Sequence, residues 1–156
     1  MILDVACGAH PYGDVNVDIG PLVRASDSGL YTRANVYASV YDLPFKDDSF
    51  EVVHFVGLLH HLERPEDAWD EMVRVAKDLI VGEEPSVTNP RAHMDPHHVF
   101  HGFRPSALRR ICDRGVAVLR MGFFFPDVAR DPTMQSWSLL AFKRRPCLLK
   151  GGRALL

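Results

Sequence analysis

Short apolar runs closed by polar or glycine positions recur along the 156-residue chain, and they alternate with longer segments of helical period. Ile2, Leu3, Val5 and Ala6 form the first run. It ends at Gly8, as a buried parallel strand before a tight turn would. Val15–Asp18 is a second strand ending in an acid, and Val36–Ser39 a possible third. Phe50–Phe55 is apolar and β-branched at its centre, which predicts a strand. Pro65–Lys77 has the strongest helical signature. Proline suits its first position, Glu66 and Asp67 suit its first turn, and Ala68, Met72, Val75 and Ala76 recur on one face. Leu79–Val81 predicts a strand closed by Gly82, and Pro105–Arg114 a helix stopped by Gly115. Val116–Phe124 and Ser136–Lys143 read as two long strands joined by a polar, proline-containing loop.

Strands and helices in alternation imply an α/β domain with a mostly parallel sheet. The connection between the first two strands is anomalous. Cys7–Asp14 contains Pro11 and Gly13 and is shorter than the dozen residues a parallel crossover normally needs. The helix expected there has no room. Gly20–Asn35 carries Pro21, Ser26, Asp27, Ser28 and Gly29 and reads as loop.

Composition changes this picture little. A hydrophobic share of 47% is ordinary for a globular chain. No apolar run reaches the ~18–20 residues that span a membrane, and no basic-then-apolar leader is evident. Cys7, Cys112 and Cys147 show no paired spacing, so reduced thiols and a cytoplasmic location are expected. Charge is more informative. Residues 1–84 hold 16 acids and 6 bases, whereas residues 85–156 hold 4 acids and 12 bases. One domain can mix its halves in space. It can also build a site with an acidic side for a cation and a basic side for an anion. The basic end, Lys143–Arg145 with Lys150 and Arg153, has no interleaved aromatics to stack on bases, so no nucleic-acid partner is expected. The division is a domain over 1–145 and a basic tail over 146–156.

The candidate chemistry begins at the first turn. A strand ending in a glycine turn, followed by a strand ending in an acid, is how open α/β sheets bind nucleotides. Further on come Tyr41-Asp42-Leu43-Pro44-Phe45-Lys46-Asp47-Asp48-Ser49-Phe50-Glu51-Val52-Val53, then Leu59-His60-His61-Leu62, then Glu71-Met72-Val73-Arg74-Val75. In this order and spacing the chain resembles the class I S-adenosylmethionine-dependent methyltransferases, in particular the small type 11 family, over about Ile2 to Arg114. The resemblance implies a Rossmann-like doubly wound sheet, mostly parallel with an antiparallel C-terminal pair. It is a reduced variant, with one helical layer thinned and no N-terminal helices.

The resemblance also implies S-adenosylmethionine as cofactor and methyl transfer as the reaction. Asp4, Ala6 and Gly8 would lie beside the cofactor's methionine part. Asp18, followed by Ile19, would take the ribose hydroxyls. Asp42 and the backbone N–H of Leu43 would meet the adenine, and Phe55 would lie under the sulfonium. Ala6 and His10 stand where the family has glycine; Ala6 adds only one methyl, whereas the bulkier His10 is expected to narrow the channel. His61 follows the fourth strand and reads either as a packed histidine or as a general base for the acceptor. His97 and His98 belong to a loop placed over the active site and are the other catalytic candidates.

Three alternatives for this chemistry remain open at this stage. The fold can persist in a non-catalytic methyltransferase-like subunit. His93, His97, His98 and His101, with Asp95, can form a metal site, although Pro96 keeps them off a common helix face. The thin layer over strands 1 and 2 can expose a face to a second copy or another protein. The methyl acceptor has no signature in the sequence.

Overall fold

The computed structural model describes residues 1–20, 32–93, 98–124 and 136–143. It contains strands β1 (Ile2–Val5), β2 (Val15–Asp18), β3 (Val36–Tyr37), β4 (Phe50–Val56), β5 (Ala76–Pro85), β6 (Val116–Phe124) and β7 (Ser136–Lys143). Helix α1 spans Pro65–Val75 and α2 spans Pro105–Cys112, with 3-10 turns at Leu59–His61 and Pro90–His93. The seven strands form one sheet in the order β3-β2-β1-β4-β5-β7-β6. β1 to β5 are parallel, and β7 runs antiparallel to both β5 and β6. This is the Rossmann-like doubly wound topology with an antiparallel closing pair.

The ladder register explains where the core sits. Leu3 pairs with Val53 and Val5 with Phe55, while Val53 also pairs with Ile80 and Ile80 with Ala141. Side chains alternate along a strand, so these residues share one face. All of them are buried, and α1 and α2 close that face with Ala68, Trp69, Met72, Leu108 and Ile111. Trp69 meets Phe55 edge-on, and its Nε1 donates to the Arg114 carbonyl at 3.0 Å. The opposite face is barer. There Ile2, Val56 and Phe142 are 38%, 48% and 41% exposed. Most of Gly20–Asn35, the segment read as loop, lies outside the described residues, as does the tail 146–156.

Several boundaries differ from the periodicity: β3 stops at Tyr37, two residues before Ser39, α2 stops at Cys112, two before Arg114, and the largest changes are at α1 and β5. α1 ends at Val75, because Ala76 is already extended and begins β5 without an intervening loop. β5 runs through Gly82 to Pro85, where the apolar run alone would stop it at Val81. Gly82 is required inside the strand. A Cβ there would lie 2.3 Å from the Phe55 ring, which fills the space over it. Phe55 is therefore a core residue on the helix side of the sheet.

Candidate functional site

In open α/β sheets the binding crevice opens at the C-terminal ends of the strands, where the strand order reverses. Here that point lies between β1 and β4, since the chain winds from β1 outward to β3 and then returns to β4 beside β1. A cavity of about 980 Å³ opens there. Its walls come from the turn after β1 (Ala6, Cys7, Gly8), the end of β2 (Asp18, Ile19), Ala38–Tyr41 after β3, the end of β4 with His61 and Leu62, and Glu83 of β5.

The turn after β1 is held in an unusual conformation. Ala6 has φ 57° and Gly8 φ 54°. Glycine adopts this region freely, but alanine does so at a cost of about 1–2 kcal/mol. The cost is offset by fixed contacts: the Cys7 N–H donates to the Val17 carbonyl at 3.1 Å, and the Gly8 N–H donates to Asp18 Oδ2 at 3.0 Å. Asp18 also accepts from its neighbour, Ile19 N, at 2.8 Å, and from Thr32 Oγ1 at 3.2 Å. Asp18 thus locks the turn and faces the cavity at once. Asp4 accepts from Tyr12 N at 2.8 Å through one oxygen and meets His54 Nδ1 at 2.7 Å through the other. This pair exists because Asp4 and His54 are register partners across the β1–β4 ladder.

The wall carries three carboxyl groups: Asp4, Asp18 and Glu83. Burial raises the Glu83 pKa, and the His54 charge opposes that rise. Burial likewise raises the Cys7 thiol. The Thr32 hydrogen bond partly offsets this, while Asp18 and Asp4 add to the rise, so Cys7 is a neutral lining group rather than a nucleophile.

Six of the candidate residues lie on the cavity wall: Asp4, Ala6, Gly8, Asp18, Ile19 and His61. Three others do not. Phe55 is fully buried against Trp69 of α1 and does not reach the wall. Leu43 is buried, and its N–H donates to Glu71 Oε2 at 3.0 Å, so it is not offered to a base. Asp42 is exposed beside it and off the wall, where Ser39, Val40 and Tyr41 stand instead. His10 lines the cavity at its exposed rim and leaves it open.

The histidine-rich loop does not act as the unit its spacing suggests. His98 turns toward His60 and His61, with ring centroids 4.4 and 4.6 Å away. His93 and His101 stack on each other at 5.3 Å. Asp95 and His97 lie outside the described residues. The loop's described end meets the C-terminal edge of the sheet, where the Phe100 N–H donates to the His60 carbonyl and the Phe103 N–H to the Pro85 carbonyl.

Residues missed in the sequence include His54, Tyr12, Gly57 and Glu83 on the wall, and Glu84 beneath His60. Most owe their place to partners many residues away. Only Glu83-Glu84, an acid pair just past an apolar strand, carried a usable local signal.

The comparisons with known proteins agree with this geometry. The family model described as a methyltransferase domain matches residues 3–79. No curated protein matches the chain in sequence. Among solved structures, a SAM-dependent methyltransferase of Thermotoga maritima is 13% identical with a TM-score of 0.67, over 92% of this chain and 82% of that one. Magnesium protoporphyrin IX methyltransferase of Synechocystis, solved with bound S-adenosylhomocysteine, is 14% identical with a TM-score of 0.60, over 92% and 74%. The protein solved with the Trm112 methyltransferase activator of Haloferax volcanii is 16% identical with a TM-score of 0.62, over 92% and 82%. At such identities the structural likeness concerns the fold. The matched segment is just under half of the chain, and with the structural likeness it supports the fold of the class I S-adenosylmethionine-dependent methyltransferases. Among the described residues no helix is long and apolar enough to cross a membrane.

Proposed function

We propose that the chain binds S-adenosylmethionine in the β1–β4 cavity and transfers its methyl group to an acceptor entering past His61. The observation that carries this reading is the cavity itself. It lies at the switch point, offers about 980 Å³, and sets three carboxyl groups on its wall. That volume lies in the usual range for cofactor pockets, and the carboxyl groups suit a sulfonium cation.

The cofactor supplies a carbon already activated for displacement, so the protein's part is mainly to position and desolvate. Ala6, Cys7 and Gly8 give a close backbone approach. Asp18 and Ile19 at the end of β2 face the ribose position, and Asp18 keeps one lone pair, on Oδ1, for a hydroxyl donor beyond its three local bonds. Ser39, Val40 and Tyr41 take the place given earlier to Asp42 and Leu43 at the base. His61, which shares the wall with His10 and His54, is the imidazole beside the acceptor's entry and the base we assign to its proton. His98, packed against it, bears on the acceptor side.

S-adenosylhomocysteine at a hundred times its dissociation constant should stabilise the protein by about 2.7 kcal/mol, raising Tm by roughly 5–10 °C. Asp18→Ala should abolish that rise while leaving a folded protein. Titration calorimetry showing no saturable binding at millimolar ligand would end this reading and favour a non-catalytic subunit.

The barer sheet face around Ile2, Val56 and Phe142 supports a protein contact, with a second copy as the simplest occupant. The relative from Haloferax volcanii was solved with a protein activator. Light scattering should give a molar mass above 17.6 kDa at micromolar concentration. A strict monomer across the concentration range would remove self-association.

A further inference from the structure

Beside the cavity lies a second cluster whose chemistry differs from the cofactor wall. His60, His61 and His98 each present a ring nitrogen, and these three nitrogens lie within 4.8 Å of one another. The rings meet at 4.2, 4.4 and 4.6 Å between centroids. His60 and His61 come from the 3-10 turn after β4, and His98 from the loop after β5. Three imidazoles from two elements converge on one point at the cavity's rim, since His61 is on the cavity wall.

What lies beneath them is the telling feature. Glu84 of β5 is 1% exposed, and one of its oxygens contacts His60 Nδ1 at 2.8 Å. The same carboxyl group accepts from the backbone N–H groups of Leu58 at 2.8 Å, Leu59 at 2.6 Å and His60 at 3.3 Å. These contacts fix the turn and the ring together. A carboxylate can only accept, so Nδ1 of His60 is the donor in this contact, which leaves Nε2 as the nitrogen turned away from Glu84. A carboxylate orienting an imidazole so that its other nitrogen is a ligand is the arrangement that supports protein-bound zinc.

We propose that His60, His61 and His98 form a binding site for a divalent cation of the zinc class, with Glu84 as the positioning group behind His60. Imidazole is a good ligand for such ions. Tetrahedral zinc with bonds of about 2.0–2.1 Å needs nitrogens about 3.4 Å apart. From nitrogens within 4.8 Å of one another, side-chain rotations that close each pair by up to about 1.4 Å reach that spacing. Three protein ligands leave the fourth position for a small molecule or water, as in catalytic rather than structural zinc sites. Because His61 borders the cavity, the open position is reachable from it. Taken with the methyltransferase reading, on which this last step alone rests, the fitting acceptor is one with an ionisable oxygen. The cation would lower the pKa of a bound hydroxyl, whose proton then leaves to solvent, since His61 as a ligand has no lone pair to take it; the oxygen would bond to the methyl carbon as the carbon–sulfur bond breaks.

The test uses the full chain and zinc ion alone. After chelator treatment and buffer exchange, calorimetric titration should show saturable binding of one zinc per chain. His98→Ala, an accessible loop position, should abolish saturable binding, and Glu84→Gln should weaken it 10–100-fold. The double variant His93→Ala with His101→Ala should bind as the parent does. Binding lost in that double variant, or unchanged in His98→Ala, would overturn the assignment, as would no stoichiometric binding in the parent. Should Glu84→Gln fail to fold, His98→Ala and the double variant still decide. S-adenosylhomocysteine binding is measured on the same samples. Cofactor binding without zinc binding removes the metal site and leaves the methyltransferase reading standing, whereas zinc binding without cofactor binding does the reverse.

Discussion

Glu84→Leu lowers the unfolding free energy by about 3–5 kcal/mol, a large single-site loss of the kind that follows when a buried hydrogen-bond network loses its acceptor. The reason is a count of groups left without a partner. Three backbone N–H groups, those of Leu58, Leu59 and His60, and the ring Nδ1 of His60 all converge on this one carboxyl group. Each buried donor left unpaired costs about 1–3 kcal/mol, although water entering the space recovers part of it. Leucine cannot accept from any of them. Glutamine keeps one oxygen, so Glu84→Gln costs less, and the difference between the two variants separates lost acceptors from lost packing. Chemical denaturation of the parent and both variants gives these values. A loss below about 1 kcal/mol for leucine would mean that the turn over Leu59–His61 satisfies itself by rearranging, and that Glu84 is not what fixes His60.

How much of this was legible in the sequence depends on the range over which each feature is determined. Strand β2 and the pair β6 and β7 fall where the apolar runs put them, because local pattern and tertiary pairing agree there. Glycine-turn residues and Asp18 were legible for the same reason, since a strand, a tight turn and an acid lie within one short stretch. Gly82 was misleading. Glycine usually weakens a strand, but here the Phe55 ring from β4 occupies the space of its missing Cβ, and pairing with β7 carries the strand on to Pro85. That contact joins residues far apart in the chain, and no local rule contains it. The Asp4–His54 pair is hidden likewise, because only the parallel register of β1 on β4 sets them opposite. Asp42 and Leu43, expected at the adenine yet off the cavity wall, show a further limit. The motif leads to a loop that borders the cavity, and which of its residues turn inward is decided by what holds the loop from behind.

That holder is the Glu71-Met72-Val73-Arg74-Val75 segment of α1, and breaking it should have the second large effect. Arg74 donates through Nη1 to the Phe45 carbonyl at 2.7 Å and through Nη2 to the Leu43 carbonyl at 3.0 Å. Nε and Nη2 also reach the two Glu71 oxygens at 2.7 and 2.8 Å. Glu71 in turn accepts from Leu43 N. The pair therefore clasps the backbone of Leu43-Pro44-Phe45 on both its donor and acceptor sides, and so carries Ser39–Tyr41 into the cavity. Arg74→Ala should cost about 2–4 kcal/mol, since several charge-assisted bonds go at once. It should also weaken S-adenosylhomocysteine binding. Arg74→Lys should recover little, because lysine lacks the planar fork. Acid provides an independent check on the same clasp. The Arg74 hydrogen bond is the main cause holding the Glu71 carboxyl below its ordinary range. A lowered native pKa means a contribution fully present above the unfolded value of about 4.3 and lost as pH falls through the native one. In Arg74→Ala that cause is gone, so stability should fall less steeply with acid below about pH 4 than in the parent. Denaturation midpoints measured from pH 6 to pH 3 would show it. Parallel curves for parent and variant would mean that the clasp contributes nothing in solution.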